Sequence, residues 1–103
     1  MAYKIIETEL ALQDLDEIIA YIALTLANPS AADAFADEVE ACYSNLEKMP
    51  LMYGFCSDPR LRALKYHKAV IKNYVMVYKV DEDEKTANIL RFFHGRQDYE
   101  KLI

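Results

Sequence analysis

Glycine and proline are scarce in this chain, two and three residues among 103, which excludes a low-complexity linker or a disordered segment. Cysteine is as rare. Cys42 and Cys56 have neither CxxC spacing nor the numbers of a secreted disulfide scaffold, so both are expected as reduced thiols in the cytoplasm. Long apolar runs are also missing, and the opening MAYKIIETEL meets Glu7 and Glu9 before a signal-peptide core can form. No membrane span or targeting segment is expected. The chain has no glycine loop to cradle phosphate, no metal-ligand spacing and no serine-histidine-acid pattern, and neither a metal nor a cofactor is expected. What is there is a single domain over residues 1–103, with 53% apolar and 28% charged residues, long enough for one core.

The net charge of −5 hides an asymmetry. Residues 1–50 carry ten acids against Lys4 and Lys48, whereas residues 51–103 carry ten bases against seven acids. Between Arg60 and Val80 there are six bases and no acid: Arg60, Arg62, Lys65, Lys68, Lys72 and Lys79, interleaved with Tyr66, Tyr74 and Tyr78. This stretch is either a contact surface for a polyanion or an acidic protein, or a set of solvated lysines of the kind that protect strand edges.

The hydrophobic period changes along the chain. Tyr3 to Glu7 is short and β-branched and predicts a strand. Thr8 stands at an N-cap position, and Ala11, Leu15, Ile18, Ile22 and Leu26 recur at helical spacing, with Asp14, Asp16 and Glu17 on or beside the wet face. Asn28-Pro29-Ser30 breaks this helix. A second follows, with Phe35, Val39, Cys42, Leu46 and Met49 as its buried stripe, and so short a turn predicts an antiparallel hairpin. Pro50 ends it, and residues 51–59 read as a loop. Strand-like spacing then covers Leu61 to Lys65, Tyr66 to Ile71, Tyr74 to Val80 and Thr86 to Phe93, with Asp81 to Glu84 as a polar turn lacking the usual glycine. The fold class is α+β, in the order β-α-α-β-β-β: an N-terminal strand and a two-helix hairpin packed on a small, curved, mostly antiparallel sheet. Alternation sets Val75 and Val77 against Tyr74, Met76 and Tyr78, and Leu90 and Phe92 against Ile89, Arg91 and Phe93. The helices are expected over the aliphatic face, which leaves an aromatic and basic face for binding.

The segments TELALQDLDEIIAYI, NPSAADAF, LRALKYHKAVIKNYVMVYKVDEDEKTANILRF and FHGRQDYEKL, taken in order, resemble the RelE/ParE superfamily of toxins from bacterial type II toxin-antitoxin modules, which includes plasmid stabilisation proteins. The resemblance spans essentially the whole chain. It implies the same hairpin-on-sheet fold, a cognate antitoxin partner in a heterotetramer or larger assembly, and one of two targets: ribosome-bound mRNA, which such toxins cleave, or DNA gyrase, which they poison without being enzymes themselves. Cleavage is a transphosphorylation in which a base, an acid and charge-stabilising cations act on the ribose and its phosphate, roles that suit histidine and arginine. Carried over by position, His94 and Arg96 follow the last strand where ribonuclease members keep functional groups, and His67 and Lys68 lie in the second-strand region where they place bases. With Arg91 these are the catalytic candidates. Arg62, Lys65, Lys72, Tyr74 and Tyr99 are candidates for nucleic-acid contact, with Tyr99 available to stack on a base. Val75 stands where many ribonuclease members have arginine, and GRQDY looks more like the ParE side.

Each candidate has a quieter reading. His94 pairs with Asp98 or a carbonyl at the strand end, Arg91 holds a structural carboxylate, Arg96 and Asp98 form a local ion pair, and the tyrosines pack the sheet. From another class comes a non-toxic protein-binding module that only holds an antitoxin-like peptide.

Overall fold

The computed structural model describes residues 2–103. Strand β1 (Lys4–Glu7) leads into helix α1 (Glu9–Ala20), and Thr8 caps the junction by accepting from Ala11 N at 3.1 Å. The same hydroxyl donates to Leu90 O at 2.9 Å, so the cap also ties α1 to the far end of the chain. The helix then widens into a π-helical turn over Tyr21–Thr25, closed by Leu26 N donating to Tyr21 O. A π turn inserts a residue into the 3.6 period. The expected stripe therefore holds at Ala11, Leu15, Ile18 and Ile22, while Leu26 comes out exposed. Asn28 caps helix α2 (Pro29–Lys48), with Pro29 in its first turn, where the missing N–H costs no helical bond. Its buried face is Ala32, Phe35, Val39, Cys42 and Leu46; Met49, expected on that stripe, is the C-cap and 61% exposed.

Leu61 to Lys65, expected as a strand, is not one. Residues Pro59–Ala63 form a short helix, α3, because Asp58 accepts from Arg60 N and Leu61 N and Pro59 has a φ suited to the first turn. Strands β2 (Tyr66–Ile71), β3 (Tyr74–Asp81) and β4 (Thr86–His94) follow as an antiparallel meander, and β1 adds to β4 in parallel, giving the order β1-β4-β3-β2. In the glycine-free β3–β4 turn, Asp81 accepts from Asp83 N and Glu84 N, and Lys85 takes the positive φ.

The two faces of the sheet are the reverse of the expectation. The helices cover Tyr74, Met76 and Tyr78 together with Ala69, Ile71, Ile89 and Phe92. Val75, Val77 and Phe93 lie on the other face beneath Cys56, Leu61 of α3 and Tyr99 of a closing 3₁₀ turn (Tyr99–Lys101). Volume explains the choice: the long aromatic and thioether side chains span the deep gap under the hairpin, and Tyr78 can reach Pro50 O, to which it donates at 3.0 Å. A bulge pairs Val77 with Arg91 but Tyr78 with Ile89, so Leu90 is the extra residue. That extra residue puts Leu90 and Phe92, expected together, on opposite faces.

Candidate functional site

Two clefts flank the end of β4, and His94 and Tyr74 line both. The first, about 500 Å³, lies between α1 and β4 and is bordered by Asp14, Glu17, Tyr21 and Arg91. The second, about 580 Å³, lies under the β2–β3 turn and is lined by Lys68, Lys72, His94, Arg96 and Tyr99, with no carboxylate in its wall.

The main chain after β4 is held closely. Gly95 N donates to Asn73 O at 2.7 Å, His94 N to the Gln97 side-chain oxygen at 2.7 Å, and Gln97 N back to His94 O at 2.9 Å. Arg96 N donates to His94 Nδ1 at 3.1 Å. An acceptor at Nδ1 puts the proton of the neutral ring on Nε2, which makes that nitrogen a donor. Gly95 suits the close approach: a Cβ there would stand 3.0 Å from Asn73 O, tighter than an ordinary van der Waals contact. Among the described residues no carboxylate pairs with Arg96, and Asp98 instead meets Lys101 at 3.1 Å. That ion pair is exposed, and the Lys101 hydrogen bond holds the Asp98 carboxyl below its ordinary range.

Six of the ten sequence candidates thus meet in one cleft: Lys68, Lys72, Tyr74, His94, Arg96 and Tyr99. The tyrosines serve as its wall. Tyr99 is buried and stacked on Phe93 at 5.7 Å, and Tyr74 packs on Phe35 at 5.0 Å and meets His94 edge-on at 5.3 Å. The other four lie apart. His67 is 4% exposed, stacked between Phe55 and Tyr78, with Nδ1 2.8 Å from Tyr53 O. Arg62 lies over the Phe55 ring at 6.0 Å, and Lys65 lines a groove with Lys79 and Asp81. Arg91 lies over Phe93 and pairs with Asp14, its Nε and Nη2 at 2.7 and 3.1 Å from the two carboxylate oxygens. Asp14 also accepts from Phe92 N at 3.0 Å. The hydrogen bonds that it donates to Asp14 hold the Arg91 guanidinium above its already high ordinary pKa. The structural-carboxylate reading of Arg91 is therefore the one realised. Asp14, expected on or beside the wet face of α1, is instead its half-buried partner.

Sequence reasoning missed Asp14, Asn73 and Gln97. The signal for Asp14 was Arg91 itself, a guanidinium in an apolar strand that had to have an acid. Asn73 and Gln97 act through one backbone or amide oxygen each, and nothing in their spacing marks them.

Residues 5–99 match the sequence model of a family described as the ParE toxin of type II toxin-antitoxin system, parDE. Among solved structures the chain is similar to one from the chromosomal ParDE TA system of P. aeruginosa, with a TM-score of 0.69 and 18% identity over 90% of this chain and 96% of that one. It is also similar to a chain of the toxin-antitoxin complex RelBE2 from Mycobacterium tuberculosis, with a TM-score of 0.64 and 22% identity over 91% and 99%. At these identities the two structures establish the shared fold. No curated protein matches the chain by sequence.

Proposed function

Because this chain belongs to the ParE toxin family of type II toxin-antitoxin systems, we propose that it is the toxin of such a module, acting in the cytoplasm, silenced by a cognate antitoxin and stopping growth by binding DNA gyrase. The observation that favours a binder over a ribonuclease is that the basic cleft holds no imidazole with a free base nitrogen. Transphosphorylation needs a base and an acid, each within hydrogen-bond reach of the reacting oxygens. His94 is the one histidine in the cleft, its Nδ1 is occupied by Arg96 N, and His67 is sealed in the core. The cations Lys68, Lys72 and Arg96 remain as a recognition surface.

Induced expression without antitoxin tests the reading. The expected result is growth arrest with gyrase-dependent DNA breaks and intact mRNA. Messages cut within translated codons, lost in His94→Ala, would transfer the assignment to the ribonuclease branch, and unimpaired growth would leave a non-toxic peptide-binding module. The product of the gene beside this one should co-purify at moderate salt and restore growth. The mass of that complex gives the assembly, a heterotetramer or larger.

A further inference from the structure

We infer that the cleft beneath the β2–β3 turn holds phosphodiester groups of DNA, so that the protein touches the nucleic acid as well as the enzyme that cuts it. The inference rests on the gyrase reading and names what its basic cleft binds. Four observations carry it. The chain has seventeen acids and twelve lysines and arginines, yet this cleft collects Lys68, Lys72 and Arg96 with no carboxylate. Its volume of about 580 Å³ lies in the range that takes small ligands. The base of Arg96 is fixed by the interlocked bonds of the 94–97 turn while, among the described residues, its guanidinium has no ion-pair partner, which leaves the planar fork free for phosphate. Lys72 projects from a tight turn at a φ of 56°, beside Asn73, whose carbonyl is held by Gly95. Cations on fixed backbone without acids beside them describe a site for a polyanion that is held by charge and spacing.

The test is fluorescence anisotropy of a short labelled DNA duplex with the full-length toxin, free of gyrase and antitoxin, at several salt concentrations. If Lys68, Lys72 and Arg96 each neutralise one phosphate, affinity falls about 40-fold between roughly 50 and 200 mM salt. In Lys72→Gln with Arg96→Gln the logarithmic slope drops by about 1.8, while Lys4→Gln and Lys79→Gln leave it unchanged. Circular dichroism of each exposed variant confirms that the fold is intact. No binding at low salt, binding indifferent to the double variant, tighter binding of an RNA of equal length, or equal binding of polyglutamate would each overturn the inference. Gyrase-dependent breaks in a cell whose purified toxin ignores DNA would remove this inference alone. Absence of those breaks removes the gyrase reading.

Discussion

Asp14 and Arg91 are the pair on which the end of the sheet depends. One carboxylate satisfies two guanidinium nitrogens and the N–H of Phe92, all half-buried. Removing it strands a charge and a backbone donor, whereas removing Arg91 still leaves Asp14 its bond from Phe92 N. Asp14→Ala should therefore cost about 1.5–3 kcal/mol, the range for hydrogen bonds to charged groups. Arg91→Ala should cost less, and the double variant less than the sum of the two. Urea titrations of the three proteins check this; additive losses would mean that the pair is not coupled. Loss of toxicity in Arg91→Ala can be assigned to target contact only if the variant melts with the parent.

Caps decided more of the element boundaries than hydrophobic pattern did. Asp58 turned the alternating LRALK into helix α3, and that helix delivers Leu61 to the second core. Asp58→Ala should destabilise by about 0.5–2 kcal/mol, and Thr8→Ala by more than a plain cap because its hydroxyl also anchors Leu90 O. Thermal melts rank the two, and a Thr8→Ala loss no larger than that of Asp58→Ala would show that the Leu90 tie contributes nothing. The helical hairpin needed no such correction at its centre. Thr8, Asn28 and Pro29 stand where cap chemistry requires, and the Phe35-Val39-Cys42-Leu46 spacing admits one buried face.

The whole molecule has two cores, one on each face of the sheet, and each holds one cysteine: Cys42 under the helices and Cys56 under α3 and the final turn. Burial pushes both thiols above their ordinary pKa, so native protein should be nearly inert to a thiol reagent and denatured protein should release two equivalents. Their raised folded pKa contributes stability that is present below the unfolded thiol value of about 8.5 and lost as pH rises past it. Denaturation midpoints measured on either side of that pH report the loss. Charge is divided as unevenly as the core. Asp37 and Glu40 lie exposed on α2 and line neither cleft, so Asp37→Asn with Glu40→Gln should leave growth inhibition intact while Lys72→Gln with Arg96→Gln relieves it. The reverse outcome in a growth assay would move the working surface to the hairpin.

The sequence alone determined the order of the first strand, the hairpin and the three closing strands, the mostly antiparallel sheet and the toxin family, because periodicity, proline breaks and cap residues act over a few positions and are written locally. It also brought His94, Arg96, Lys68 and Lys72 forward as polar residues in or beside strands. Which face of the sheet the helices cover, what Arg91 pairs with, and the withdrawal of His67 into the core were decided only by tertiary structure. Those outcomes depend on residues far apart in the chain: Tyr78 reaching Pro50, Asp14 meeting Arg91, and Phe55 closing over His67. A two-residue alternation says that two faces exist, but contacts between residues distant in the chain decide which face the helices cover.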